Sequence, residues 1–536
     1  MGVTLGRLLL VALCVVTSAL AVARAPQRPP APGAETTLWL AATSWAEDGD
    51  GLRTDADMQR YRARFAAEPR GVEMAATGDA LAAPWLAARA WGAAARWGGE
   101  LGLWGFNLLL FWGTAALGWW ATRQVWGALA PLWIAVLLFG SVAFTFLFRL
   151  QPELLGLASV VAASALVWSR FAVAPAKGVY GGEFAAPQVA FRWLAAGLVF
   201  GLAATLSPAY LPLAVPLLAA APRGRRSIGG ATFVIGLAAT VGGAALLGGV
   251  PWAMPSWVFS PALLGWNGFY LLVGRNAGIL AGYLPVLLLL AVPSSEAGRR
   301  WLPAAALAAA ALQLTLYPFD WAGDLAAVGN AWFLPVFGAL WFLPGRIERP
   351  RWAVVLLLVA APLLLPRWWQ PLSDGTVAPA AIRRFTEAAR TALPFETTLR
   401  TLPGAHEIAR GGVRLRATSW NVFPTSSGLA WQGSRAGELA VASDRPLSSL
   451  RLAFGEKGPS ALQIRGGEAG NTTFRPGGEV AFDVRLGRPA RRHPVWWSRQ
   501  PVAIYFLRLE LPQAPLAPIP FDLELARPAL PAPERP

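Results

Sequence analysis

The chain has 536 residues, 55% of them hydrophobic and only 14% charged, with a formal net charge of +16. Soluble proteins carry about 25% charged residues, so this composition excludes an ordinary soluble domain. The apolar runs are continuous, not alternating, which excludes a transmembrane barrel and leaves a polytopic helical membrane protein. Nearly all the basic residues are arginines, lysine occurring only at Lys177 and Lys457, and they cluster between apolar runs. That is the pattern that orients membrane helices, and it removes the case for a nucleic-acid partner. The single cysteine, Cys14, rules out a disulfide framework. His406 and His493 both fall in the last third, so a histidine metal site or a Ser-His-Asp triad among the apolar helices is excluded by count.

In chain order, residues 5–22 form the first apolar helix. Arg7 and the Ala21-Val22-Ala23 run also suit a cleaved signal, and the uncleaved helix is the favoured reading. Residues 25–100 form a first outer loop. It holds Asp48-Gly49-Asp50, then Asp55 and Asp57, in a region where acidic residues are otherwise scarce. Asp55 and Asp57 read as a solvated helix start. Asp48 and Asp50 are the candidates for chemistry, although Asp-Gly-Asp is also a turn signal. An amphipathic stretch follows near 82–97.

Further helices are expected near 101–121, 126–148, 152–171, 191–206, 208–222, 228–249, 277–293, 301–317, 331–344 and 352–367, about eleven in all. Leu206-Ser207-Pro208 reads as a hairpin between two of them. With a cytoplasmic N-terminus, the inner loops hold Arg123; Arg170, Lys177 and Arg192; Arg223, Arg225 and Arg226; Arg299 and Arg300; and Arg346, Arg349 and Arg351. The segments 149–153, 251–276 and 317–330 and everything after Pro366 then lie outside. Arg149 and Arg275 break the charge rule there, which suits a phosphate partner, a lipid headgroup contact or a snorkelling side chain.

After about residue 378 the pattern changes to short alternating segments: 413–420, 438–442, 449–454, 461–465, 479–486 and 502–511. Gly466-Gly467 and Pro476-Gly477-Gly478 punctuate them, as in an antiparallel β-sandwich. Asn471-Thr472-Thr473 fits a glycosylation acceptor, a weak signal in a turn. The expected domains are therefore 1–370, a transmembrane bundle, and 371–536, an extracytoplasmic β-sandwich.

Three stretches resemble the bacterial GT-C superfamily of polytopic membrane glycosyltransferases, which use polyprenyl-phosphate sugars as donors, as the dolichyl-phosphate-mannose mannosyltransferases do. They are Ser44-Trp45-Ala46-Glu47-Asp48-Gly49-Asp50 with Asp55, Asp57 and Arg60-Tyr61-Arg62; Tyr270 to Gly278 with Gly274-Arg275-Asn276-Ala277-Gly278; and Val328-Gly329-Asn330-Ala331-Trp332-Phe333-Leu334-Pro335. The third departs from the family, which tends to have Arg and Tyr where this chain has Ala331 and Trp332.

The resemblance implies inverting transfer of a sugar to a glycan, lipid or protein acceptor at the outer face of a bacterial inner membrane. Asp48 or Asp50 would serve as general base, with a divalent cation, Mg or Mn, as an option on the same two carboxylates. Glu153 would be a second acid, and Arg275, Arg149 and Asn330 would bind substrate, Arg275 stabilising the departing lipid phosphate. A lipid-linked sugar transporter or flippase is the competing class, but the helix middles carry almost no ionisable residues, unlike ion-coupled transporters. A non-catalytic membrane anchor would leave the Asp48 cluster and Arg275 without a task. A catalytically degenerate family member is the further alternative raised by Ala331 and Trp332.

Overall fold

The computed structural model describes residues 2–536 apart from 32, 70–71, 75–79, 170–185, 222–225, 249–259, 292–297, 324–328, 345–350, 370–381, 383–385, 387–388, 390–391, 401–406, 419–421, 426–427, 433–434, 455–461, 467–471, 475–480, 516, 524–526 and 529–536. Arg170, Lys177, Arg223, Arg225, Asp324, Val328, Arg346, Arg349, His406, Lys457 and Asn471 therefore lie outside the described residues. Two compact units are present. One comprises Met1–Trp257, Leu271–Tyr317 and Trp321–Leu393, and the other Val258–Tyr270, Pro318–Asp320 and Pro394–Pro536. The boundary thus falls at 393/394 and not at 370/371, and two short segments from the helical part of the sequence join the second unit.

The first unit is helical: α1 (Gly2–Arg24), α2 (Ala34–Glu47), α3 (Asp55–Phe65), α4 (Trp85–Trp126), α5 (Ala130–Phe139), α6 (Pro152–Trp168), α7 (Ala186–Leu206), α8 (Ala214–Ala219) and α9 (Arg226–Gly248). After α10 (Pro261–Val273), most of which belongs to the second unit, come α11 (Ile279–Gly282), α12 (Val286–Ala291), α13 (Leu302–Leu316), α14 (Phe333–Leu340) and α15 (Arg351–Trp369). Among the described residues, Gly6–Gln27, Trp85–Phe139, Pro187–Leu206 and Arg226–Leu247 are long and apolar enough to cross a membrane. Several other expected spans are shorter or divided. The 126–148 stretch is α5 and then a 3₁₀ turn over Val142–Phe148. In 208–222, prolines confine the chain to a 3₁₀ turn, Pro208–Leu213, and the short α8, since each proline lacks the amide that a helix needs.

The first outer segment is more ordered than a polar loop. Consecutive residues of α2, buried all round the helix, carry Leu38, Trp39, Leu40, Ala41 and Ala42 into a cluster with Tyr61, Ala87, Ala88, Trp91, Leu103, Leu150 and Leu155. Each large aliphatic side chain buried this way contributes about 1.5–3 kcal/mol. The expected amphipathic stretch is the first part of α4: Ala87, Ala88, Trp91, Gly92 and Ala95 are buried while Arg89, Arg96 and Trp97 are exposed. A break at Gly99 separates it from the apolar remainder of α4.

The second unit contains two antiparallel sheets. One runs β1-β2-β5-β11-β7-β8, with β10 on β11, and the other β13-β6-β12-β4-β3, with β9 on β6. In sequence these are β1 (Glu407–Arg410), β2 (Val413–Ala417), β3 (Val422–Thr425), β4 (Gly428–Trp431), β5 (Ala436–Ser443), β6 (Leu447–Phe454), β7 (Leu462–Arg465), β8 (Thr472–Phe474), β9 (Ala481–Arg485), β10 (Arg491–Val495), β11 (Ser498–Glu510), β12 (Ile519–Leu523) and β13 (Arg527–Pro528). Residues from both sheets, among them Leu415, Trp431, Val441, Leu452, Ile464, Leu507 and Phe521, form one core. The six expected strands fall on β2, β5, β6, β7, β9 and β11. The others were hidden by brevity or by an internal proline, such as Pro424, Pro494 and Pro520.

A buried polar chain ties α10 to β10 within this unit. His493 is fully buried, and its Nδ1 faces the Pro494 carbonyl at 2.8 Å, a group that only accepts. Nδ1 therefore carries the proton, and Nε2 accepts from Thr397 Oγ1 at 2.7 Å. The Tyr270 hydroxyl then donates to Thr397 at 3.0 Å, and Arg491 donates to Tyr270. Arg491 also lies over Trp266 at 4.7 Å and Phe506 at 5.0 Å.

Candidate active site

The acidic motif is a capped turn at the end of α2. The Asp48 amide closes the helix on the Ser44 carbonyl at 2.8 Å. Both Asp48 oxygens accept from Arg60, one at 3.3 Å, and this guanidinium holds the Asp48 carboxyl below the usual carboxylate range. Asp50 Oδ1 accepts from Ser44 Oγ at 2.9 Å and from the Leu52 amide at 3.1 Å. Asp55 is exposed in the first turn of α3, as expected, but Asp57 is fully buried. Its Oδ2 accepts from the Thr54 amide at 2.8 Å while Thr54 Oγ1 accepts from the Asp57 amide at 3.3 Å, a capping box. The solvated reading of Asp57 is therefore replaced by a structural one.

As placed, Asp48 and Asp50 do not present a donor set for a divalent cation. Both oxygens of the first face Arg60, one oxygen of the second is held by Ser44 and Leu52, and among the described residues no group of three His, Cys, Asp or Glu side chains converges.

Arg149 is buried, at 2% exposure, beside a residue that the sequence reading overlooked. Glu35, 1% exposed, lies 3.7 Å from Arg149 Nη1 and accepts from Arg28 at 2.8 Å, from the Ala31 amide at 3.1 Å and from the Leu150 amide at 3.3 Å. Arg149 thus fastens the start of α2 to the turn before α6. A carboxylate between two arginines and two amides is a compensated buried charge, the only kind the interior tolerates at low cost.

Glu153, four residues on in the first turn of α6, faces another environment. A Cβ built on Gly323 would lie 3.3 Å from Glu153 Oε1, 3.2 Å from Ala331 Cβ and 3.1 Å from the Trp332 amide. The Glu153 carboxylate and Ala331 are therefore close neighbours, separated by a glycine whose φ of +78° also disfavours a side chain. Tyr210 stacks on Trp332 with ring centroids 5.8 Å apart and donates to the Trp332 carbonyl at 2.9 Å.

Asn330 joins the second and third family-like stretches. Its Nδ2 donates to the Ala277 carbonyl at 3.2 Å, its Oδ1 accepts from the Phe333 amide at 3.0 Å, and its own carbonyl accepts from Tyr283 at 2.7 Å. It is 1% exposed. In this arrangement its side chain organises the backbone at the start of α14. Arg275 is half-buried in the turn after α10 and donates to the Leu393 carbonyl at 3.1 Å.

Two groups thus form within the helical unit. Asn330 brings together the segments carrying Arg275 and Ala331, and Glu153 lies beside Ala331. Among the described residues, none of the polar contacts of Asp48 or Asp50 involves Glu153, Arg149 or Arg275. Sequence reading also missed Arg367, whose Nη1 is 3.6 Å from the Cβ position of Gly329.

No protein-family model matches the chain, and no curated relative matches it. Among solved structures, the chain is similar to ArnT from Cupriavidus metallidurans, crystallised with undecaprenyl phosphate bound. The two share 12% identity over 70% of this chain and 63% of that one, with a TM-score of 0.38. The likeness is distant and partial, and the assignment of the site rests on this chain's own residues.

Proposed function

We propose that this protein is a membrane glycosyltransferase that moves a sugar from a polyprenyl-phosphate carrier to an acceptor on the outer face of the membrane. The observation that supports it best is the meeting of separate family-like segments around one carboxylate: Asn330 bonded to Ala277, with Glu153 beside Ala331 and Gly323. In this reading about eleven crossings, some short or broken, place the N-terminus inside and present the two-sheet unit as a periplasmic β-sandwich.

Transfer with inversion needs a base to take the acceptor hydroxyl proton while that oxygen bonds to the anomeric carbon. The bond from that carbon to the phosphate oxygen breaks, and the carrier leaves as polyprenyl phosphate. Asp48 or Asp50 is the proposed base, Glu153 the second acid, and Arg275 a cation on the donor side. Asp48 suits a base in being ionised, although Arg60 must yield when the proton arrives. The position of Ala331, apolar and beside Glu153, bears on the degenerate alternative.

The test is transfer from several polyprenyl-phosphate sugars by purified protein in lipid nanodiscs, with Asp48→Asn, Asp50→Asn and Glu153→Gln as variants. Loss of transfer in a folded aspartate variant supports the proposed base. Normal turnover with both aspartates replaced removes their acid-base role, and absence of transfer by the native protein across donors and acceptors favours the degenerate reading.

A further inference from the structure

The acidic turn satisfies its own carboxylates, and two further ties fasten it to the start of α4. One is made by the backbone: the Leu81 amide donates to the Gly51 carbonyl at 3.1 Å, beside a bridge between Leu52 and Ala80. The other is made by side chains. Trp45, in the last turn of α2, lies against Gly92 of α4, where a Cβ would stand 2.7 Å from Trp45 Cβ and 2.9 Å from the Ala42 carbonyl oxygen. The edge of its indole meets the turn itself, since a Cβ on Gly51 would be 3.0 Å from Trp45 Nε1.

Arg89 closes this arrangement. It follows Trp85 by one helical turn and shares its side of α4. Its guanidinium carbon lies 4.1 Å from the ring centroid of Trp45 and 4.1 Å from that of Trp85. The two indoles meet edge to face, with centroids 6.4 Å apart and planes at 89°. A cation over an indole is attracted by the negative charge of the ring face, so one guanidinium draws the end of α2 and the start of α4 together. Among the described residues Arg89 makes no ion pair, whereas Asp48 is paired with Arg60 and Asp50 is held by Ser44 and Leu52. An exposed arginine held by rings alone thus ties the two helices without engaging either carboxylate of the turn.

We propose that Arg89 is a positioning residue for the acidic turn: by clamping Trp45 against Trp85 it fixes Asp50, the neighbour of Gly51, in one orientation on α4. This rests on the sugar-transfer reading above, in which Asp48 or Asp50 takes the acceptor proton, and adds to it what keeps that base in place. A base and the group it acts on must meet within about 3.5 Å, and a misplacement of about 1 Å costs up to about 100-fold in rate.

The experiment joins a spectroscopic and a kinetic arm, both on the full-length protein in nanodiscs. Cys14→Ser removes the single cysteine, and spin labels on Leu52→Cys and Ala93→Cys, two exposed positions, report the distance from the turn to α4. The expected result is a narrow distance distribution with Arg89 present, a broader one in Arg89→Gln, and a partial return in Arg89→Lys, whose ammonium also suits the ring faces. With a polyprenyl-phosphate sugar as donor, kcat should fall about 10–100-fold in Arg89→Gln and recover in part in Arg89→Lys, while donor KM stays within about 2-fold. Trp85→Leu should match Arg89→Gln, and the double variant should be no worse than either. An unchanged distribution in Arg89→Gln overturns the clamp. A broadened distribution with unchanged kcat, or a donor KM that rises as kcat falls, overturns the positioning role. If the native protein transfers no sugar, the sugar-transfer reading fails and the role in catalysis fails with it, an outcome distinct from loss confined to the Arg89 variants. Thermal unfolding of each variant separates a loosened turn from a lost fold.

Discussion

The two polar regions of the helical unit differ in how they are built. The Asp48–Asp57 turn draws its partners from the stretch between Ser44 and Arg60: Ser44 for Asp50, Arg60 for Asp48, and Thr54 for Asp57. Glu153, by contrast, is brought from the start of α6 beside Gly323, Ala331 and Trp332, which lie far off in the chain. A turn that satisfies its own carboxylates can form without the rest of the bundle. A neighbourhood drawn from distant segments exists only when the bundle is packed, and its carboxylate is positioned by that packing. The acidic turn is thus a local motif, whereas the surroundings of Glu153 depend on the packed bundle.

The largest expected effect separates the two regions by chemistry. Glu153→Gln should lower transfer by about 10²–10⁴-fold with little change in donor affinity, read as kcat against KM. An unchanged kcat would return the acid-base chemistry wholly to the Asp48 turn.

The next effect concerns what holds them in place. Replacing Arg149 with Met leaves Glu35 short of one of its two arginines in a dry environment, and should destabilise the helical unit by about 3–5 kcal/mol. Denaturant unfolding in detergent would show it, and a loss below about 1 kcal/mol would mean that Arg28 alone compensates Glu35. A smaller loss, about 1–3 kcal/mol, is expected for Asn330→Leu, which leaves the Phe333 amide and the Ala277 carbonyl without their partner. Donor KM should rise with it, because the Arg275 turn would no longer be tied to α14.

These residues also show how much could be read from the chain. The arginine alternation and apolar runs announced a helical membrane unit, since both follow from the energetics of lipid insertion and need no tertiary structure. Asp48-Gly49-Asp50 was visible because its spacing is local. α2 was not, because its buried residues are used mainly against α4, and a mixed Thr, Ala and Trp sequence carries little intrinsic helix signal. Glu35 was missed for the same reason: its partners Arg28 and Arg149 are separated in the chain by more than a hundred residues. Arg149 and Arg275 were singled out by the same charge exception, yet one is a buried structural partner and the other lies in a half-buried turn. Sequence shows that an arginine is out of place, and only packing shows why.

A pH effect is expected in the sheet unit. Burial, with Arg491 adding to it and the Pro494 carbonyl opposing it, pushes the His493 imidazole below its ordinary value of 6.5. The folded state then binds fewer protons than the unfolded one, so the stability is present above pH 6.5 and declines as pH falls through the folded value. The groups facing it are Thr397, Tyr270 and Arg491, with Glu396 nearby. His493→Gln should flatten this acid slope, and an unchanged slope would mean other groups set it. The smallest effect belongs to the acidic turn. Asp48 should titrate below 3.8, by NMR of the carboxyl carbon, and shift upward in Arg60→Gln. Its exposure makes any change in stability slight.

The most direct test of the central claim is a transfer assay in nanodiscs with a polyprenyl-phosphate sugar, comparing the native protein with Glu153→Gln and the Asp48→Asn, Asp50→Asn double variant. The account predicts sugar transfer by the native protein, with free polyprenyl phosphate released in equal amount, and loss of at least about 100-fold in both variants while each stays folded. Native transfer that survives both sets of substitutions would contradict it.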